Sequence, residues 1–248
     1  MIKKFAFEII GHRGCEGLAP ENSIAAMQTA IKLGIYRVEF DIQATHDGEL
    51  IIFHDDFIHD QGSRKSIATL TRAELLEIAR KGPDEIPTLD DVLGSCRDRI
   101  KIQAELKSDG TEAQACSCIK KANFPLCDIN ISSFSIDRLA RVRSLASALE
   151  DVQMVLLLGK KLPVTLALDE MEAIGISSIS IFASVVTTGL VDKVHERGFR
   201  IIAWGLGEKG LQVDKINTRY RLLLNKSVDG FTCAYPDKLQ QMIRGASR

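Results

Sequence analysis

The 248-residue chain has no apolar stretch near the roughly 20 residues that a transmembrane helix requires, so no membrane span is expected. It has no strongly basic run, and its net charge is −1. That removes the electrostatic footprint of a nucleic-acid binder and the polybasic patch of a membrane-surface protein. No small-residue cleavage site follows the opening MIKKFAFEIIGHRG, and Glu8 interrupts its apolar run, so the segment reads as a first strand rather than a signal peptide. The six cysteines (Cys15, Cys96, Cys116, Cys118, Cys127, Cys233) form no CxxC pair and no zinc spacing with histidine. Free thiols in a reducing cytoplasm are the expectation. There is no internal repeat, low-complexity tract or linker, so a single domain over residues 1–248 is expected.

What is present is a rhythm of short apolar runs and amphipathic stretches. Strands are expected at Phe5–Ile10, Tyr36–Ile42, Arg99–Leu106, Asp128–Ser132, Val152–Leu157, Ser177–Ile181, Arg200–Trp204 and Val228–Thr232. Asn22-Ser23 marks a helix start before Ile24–Leu33 and Gly34 its stop; Gly198 plays the same part after Val186–Arg197. Eight strands alternating with helices at this length predict an α/β fold, a (β/α)₈ TIM barrel. The competing doubly wound sheet lacks its glycine fingerprint, GxGxxG, after the first strand. One connection is too long for a single βα unit. Residues 44–98 hold a hairpin, THDGELIIFHDD, with Asp47-Gly48 as its turn, then helices around Arg72–Ala79 and Thr88–Cys96. This predicts a small insertion after the second strand, at the top of the barrel.

Two stretches carry chemistry. In VEFDI, alternation puts Glu39 and Asp41 on one face of a buried strand. Paired buried carboxylates repel each other and lose water, so they need a salt-bridge network or a metal ion. In QAELK, Glu105 and Lys107 repeat the spacing near a strand's C-terminal end, the rim where barrel active sites lie. Three carboxylates without a thiolate or imidazole cluster favour one hard divalent cation, Mg²⁺ or Ca²⁺, with Mn²⁺ as an alternative. Lys107 beside them suits an anionic substrate. His12 and His54 each end an apolar run and make a general acid/base pair plausible. His46 beside the Asp-Gly turn, His59 in a loop and His195 near a helix end are expected to be solvated.

In order and spacing, GHRG, PENS, VEFDI, DGELIIFHDD and QAELK resemble the glycerophosphodiester phosphodiesterase family. Further echoes are IPTLDDVL (Ile86–Leu93), SSF (Ser132–Phe134), AWGLG (Ala203–Gly207) and VDGFTCAYPD (Val228–Asp237). The resemblance implies hydrolysis of a glycerophosphodiester, a small-molecule substrate, to sn-glycerol 3-phosphate and an alcohol. It implies that Glu39, Asp41 and Glu105 hold the metal and that His12 and His54 are the acid/base pair. It further implies that Arg13 and Lys107 contact phosphate and that Trp204 lines the site beside the glycerol. Two other readings stand beside this one: a related phosphodiesterase acting on a lysophospholipid or sugar phosphodiester, and a barrel that binds a phosphoester without turning it over.

Three positions depart from the family pattern. Asp60 stands near an expected arginine, Trp204-Gly205-Leu206-Gly207 replaces Trp-Thr-x-Asn, and Thr232-Cys233 replaces Thr-Asp. These changes bear on the alcohol pocket rather than on the acidic and histidine skeleton.

Overall fold

The computed structural model describes residues 5–81, 85–145, 152–160, 164–206 and 212–246. Eight parallel strands close on themselves: β1 (Glu8–Gly11), β2 (Arg37–Ala44), β6 (Lys101–Leu106), β7 (Ile129–Ser133), β8 (Gln153–Leu158), β9 (Ser178–Phe182), β10 (Arg200–Trp204) and β11 (Gly230–Cys233). Closure comes from β1 pairing with both β11 and β2. Outside run α1 (Ile24–Leu33), α4 (Glu112–Lys121), α5 (Ile136–Ser144), α6 (Val164–Ala173), α7 (Thr188–Glu196), α8 (Val213–Leu224) and α9 (Pro236–Ala246). The predicted (β/α)₈ barrel is therefore observed, and each of the eight expected strands is found to within a few residues.

Local chemistry sets the helix ends. Ser23 accepts a hydrogen bond from the Ala26 amide at 3.1 Å, and Gly34 takes the left-handed conformation (φ 64°) that ends α1. Gly198 does the same after α7 with φ 78°. Apolar residues such as Val38, Phe40 and Ile42 face outward from β2 into the helix layer, in one continuous core. Their alternates, Glu39, Asp41 and Gln43, are left facing the barrel axis and its mouth.

The lower end of the barrel is held by charge. Glu8 is buried and receives Arg200 Nη1 at 2.7 Å and Arg37 Nε at 3.4 Å, while Arg37 also donates to the carbonyls of Ile102 and Asp128. One carboxylate thus ties three strands together where the barrel closes. Glu8→Ala leaves two largely buried guanidinium groups without that partner. Such a loss costs about 3–5 kcal/mol, so urea unfolding of the variant is expected to begin well below the wild-type midpoint.

The insertion is richer than expected. The hairpin is present: β3 (Leu50–Ile52) runs antiparallel to the top of β2, pairing Ile42 with Ile52 and Ala44 with Leu50. Both predicted helices form, α2 (Arg72–Ala79) and α3 (Leu89–Cys96), each opened by a capping box from Thr71/Glu74 and Thr88/Asp91. A second hairpin, β4 (Phe57–Asp60) with β5 (Ser63–Ser66), also lies here. His59, expected in a loop, therefore sits in a strand. The turn residues Gln61 and Gly62 both have positive φ (49° and 84°), the geometry that a two-residue hairpin needs, but glutamine gives little sequence signal for it. The insertion packs around its own small core of Ile51, Ile58, Ile67, Leu75, Ile78 and Ile86.

Among the described residues no helix is long and apolar enough to cross a membrane. None of the six cysteines, all of them among the described residues, is in a disulfide. His195, expected to be solvated, is instead paired: its Nε2 lies 2.9 Å from Asp229 Oδ2, an atom that also accepts from the Ile201 amide.

Candidate active site

The loop after β1 is built to bring a histidine and an arginine over the barrel mouth. Gly11 admits no side chain, since a Cβ there would fall 1.9 Å from the Gly14 carbonyl oxygen. Arg13 follows in the left-handed region (φ 48°), which turns its amide onto Glu39 Oε2 at 2.9 Å. Its guanidinium donates to Glu21 at 2.6 Å and lies 3.5 Å from Asp41 Oδ2, and its Nε makes no hydrogen bond among the described residues. Asn22, also left-handed (φ 56°), grips Asp41 from both sides: Nδ2 donates to Oδ2 at 2.9 Å, and Oδ1 accepts from the Asp41 amide at 3.3 Å. PENS therefore does more than start α1.

Glu39, Asp41 and Glu105 are all buried, and one carboxylate oxygen from each lies within 4.8 Å of the others. Register explains this, because Asp41 pairs with Glu105 across β2 and β6 while Glu39 sits one step lower beside Gln103. Burial first, then repulsion from Asp41, pushes Glu39 up to about 7 and Glu105 up to about 8. Glu39 Oε1 has no hydrogen-bond donor among the described residues. Arg13 and Lys107, whose Nζ is 3.6 Å from Asp41 Oδ1, offset only part of this charge. An all-oxygen set of three close, under-compensated carboxylates fits a hard divalent cation.

The two histidines differ in setting. His12 is partly buried, its Nδ1 2.5 Å from Glu16 Oε1 and its Nε2 3.9 Å from Glu39. Burial alone would lower its pKa. The hydrogen bond to Glu16 and the charges of Glu39 and Glu16 together outweigh burial and carry it up to about 9. His54 lies just past β3, a third exposed, with Nδ1 2.6 Å from Asp55 Oδ1. Trp204 closes the far wall, donating Nε1 to the Leu158 carbonyl and meeting Phe134 and Phe182 edge to face at 5.5 and 4.9 Å. Gly205 (φ 67°) is packed so closely that a Cβ would strike the Phe182 ring, which accounts for glycine after Trp204; Gly207 lies outside the described residues.

All eight residues singled out in the sequence (His12, Arg13, Glu39, Asp41, His54, Glu105, Lys107 and Trp204) line one cavity of about 140 Å³ at the C-terminal ends of the strands. Gln103, Phe134, Leu157, Ser180 and Thr232 also line it. Gln103 shares the parity of Glu105, a signal open to sequence reading, and Phe134 stands in the SSF motif. Glu21 and Asn22, which hold Arg13 and Asp41, stand in the PENS motif but read there only as part of a helix start, and Glu16, which holds His12, carries no such signal. A second cavity of about 700 Å³ opens toward the insertion, lined among others by Glu21, Phe53, Asp55, Phe57 and Asp60. His54 lines both cavities. Asp60, the departure near the expected arginine, is paired with Lys65 at 2.7 Å and Lys81 at 3.5 Å.

Comparison with known proteins gives the chain a family. The glycerophosphoryl diester phosphodiesterase family model matches residues 12–238. A Caldanaerobacter subterraneus protein named glycerophosphodiester phosphodiesterase is 30% identical, over 95% of this chain and 97% of its own. Among solved structures, an Oleispira antarctica phosphodiesterase in complex with the product sn-glycerol-3-phosphate aligns with a TM-score of 0.76 at 24% identity, covering 96% of both chains. A Parabacteroides distasonis glycerophosphodiester phosphodiesterase aligns at 0.78 and 23%, covering 99% of this chain and 100% of that one. At these identities the structures establish the fold alone. The family match, spanning nearly the whole sequence, bears out the resemblance first carried by five short motifs: the chain belongs to the glycerophosphoryl diester phosphodiesterase family.

Proposed function

We propose that the enzyme hydrolyses water-soluble glycerophosphodiesters to sn-glycerol 3-phosphate and an alcohol, in a reaction that depends on a divalent cation and on two histidines. The observation that carries this reading is the convergence of three buried carboxylates, two cations and two histidines on one barrel mouth. Glu39, Asp41 and Glu105 would hold Mg²⁺, Ca²⁺ or Mn²⁺. When bound, that ion supplies positive charge against the phosphoryl oxygens as charge builds in the transition state. Arg13 and Lys107 bind and orient the phosphate.

The two cavities suit the two halves of such a substrate, and on this reading they divide it. The narrow one, walled by Trp204 and Phe134, takes the glycerol, and the wide one takes the alcohol. His54, lining both, is placed to protonate the departing alkoxide, which is too basic to leave unaided. His12, in the inner cavity with Glu16 on its far nitrogen, would take the proton from the attacking oxygen in its neutral form, which a divalent cation beside Glu39 would favour by offsetting the carboxylate charge that otherwise holds the imidazole protonated.

The test is release of glycerol 3-phosphate from glycerophosphocholine, glycerophosphoethanolamine, glycerophosphoglycerol and a lysophospholipid, with Mg²⁺, Ca²⁺, Mn²⁺ or a chelator. Cation-dependent release from the soluble diesters is expected. Undiminished release in chelator would sink the metal role, and turnover confined to the lysophospholipid would move the substrate class to lipids.

A further inference from the structure

Gln43 follows Asp41 on the same face of β2, buried at the top of the strand. A glutamine there need only be polar and wide to close the barrel rim. Its contacts are far more directed. Nε2 lies 2.9 Å from the Phe53 carbonyl oxygen, 3.0 Å from that of His54 and 2.9 Å from that of Asp55. One amide group, with two hydrogens to give, is shared among three consecutive carbonyls. The chain can present three successive carbonyls to one point only by curling around it. Residues 53–55 do so immediately after β3 ends, past the Phe53 amide, which donates to the Asp41 carbonyl at 3.1 Å.

The geometry points to Gln43 as the positioning residue for His54, an inference that rests on His54 being a proton-transfer group. Among the described residues two side-chain ties hold that histidine, and they do different work. Asp55 fixes the imidazole ring, but Asp55 belongs to the same three-residue curl and moves with it. Gln43 fixes the curl to β2, the strand that also carries Glu39 and Asp41. It is therefore the side chain through which the distance between the proton donor and the carboxylate cluster is set. Because Gln43 is buried, water does not readily take over the three carbonyls when its amide is removed. The curl then relaxes, and a displacement of about 1 Å at a reacting group is enough to cost roughly 100-fold in rate.

Gln43→Met keeps the side chain's length and removes both donors without adding charge. With the soluble diester that the wild type turns over best, its kcat is expected to fall roughly 10- to 100-fold, with KM changed by less than about threefold. Mn²⁺ affinity, measured by titration without substrate, is expected to stay within about twofold, because the three carboxylates are untouched. The deciding readout is a double-mutant cycle: in a His54→Ala background, Gln43→Met should cost nothing further in kcat. An unchanged kcat in folded Gln43→Met overturns the proposal. So does a full additional loss in the His54→Ala background, or a Mn²⁺ affinity that falls in step with kcat. Should Gln43→Met fail to fold, Gln43→Asn, whose amide stops one methylene short, goes through the same cycle with the same expectations. If His54→Ala by itself leaves kcat intact, the reading of His54 as a proton donor fails, a result distinct from failure of the Gln43 proposal.

Discussion

Glu39→Gln is expected to lower glycerol 3-phosphate release by roughly 10³-fold while making the metal-free protein more stable at alkaline pH. The two effects have one origin. The amide keeps the shape of the carboxylate and can still accept from the Arg13 backbone, but it brings no negative charge to a divalent cation. Loss of that charge removes several kcal/mol of transition-state stabilisation, and about 4 kcal/mol corresponds to the rate loss given. In the absence of metal the same carboxylate is a burden. Burial and Asp41 raise Glu39 to about 7 and Glu105 to about 8, well above their values in an unfolded chain. The folded state therefore holds these protons more tightly than the unfolded state. Stability from this source is present below the unfolded pKa, about 4.5, and is lost as pH rises through 7 and 8. A tenfold difference in proton affinity between the folded and unfolded chain is worth about 1.4 kcal/mol, so the fall should be on the order of a few kcal/mol. Thermal melts of the metal-free wild type between about pH 5 and 9 should show it, Mn²⁺ should erase most of it, and Glu39→Gln should show a shallower fall. A metal-free wild type whose melting temperature rises over that interval would contradict this account.

His54→Ala is expected to lower kcat by roughly 10²- to 10⁴-fold, the span usual for loss of one general acid or base, with substrate affinity and Mn²⁺ affinity close to wild type. The imidazole lines the cavity but is absent from the carboxylate cluster, so the ion and the phosphate keep their partners. His12→Ala should cost as much, and the double variant little more than either, because removing one half of a proton-transfer pair already idles the other. A diester with a phenolic alcohol separates the two roles. Its leaving group departs without a proton, so it should largely restore turnover in His54→Ala and leave His12→Ala slow. Rescue of His12→Ala alone would reverse the assignment of acid and base, and rescue of both variants would overturn the division of roles.

The acidic and basic members of this constellation were open to sequence reading because each is expensive where it stands. Glu39 and Asp41 lie two apart in an apolar strand, Glu105 and Lys107 repeat the spacing, and burying such groups without a purpose costs too much to be casual. His12 and His54 were marked by the ends of apolar runs. Neutral partners leave no such trace. Gln43 looks like an ordinary polar residue until the insertion curls beside it. The pairing of His195 with Asp229 spans 34 residues and depends on strand order, which the local sequence does not carry. The β4–β5 hairpin was hidden because its strands, FIHD and SRKS, are short and largely exposed and lack the alternation that betrays a buried sheet face.

The small core inside the insertion has a consequence for how such an enzyme diversifies. Ile58, Ile67, Leu75 and Ile78 pack chiefly on one another, while the barrel packs around its own apolar layer. Substitutions far apart with no shared partners act almost independently. A lineage can therefore rework Phe57, Asp60 or Lys81, and with them the wall of the wide cavity, without disturbing the ring of charges at the barrel mouth. On the proposed function, variety in the group released and constancy in the group retained are then two separately inherited properties of one chain.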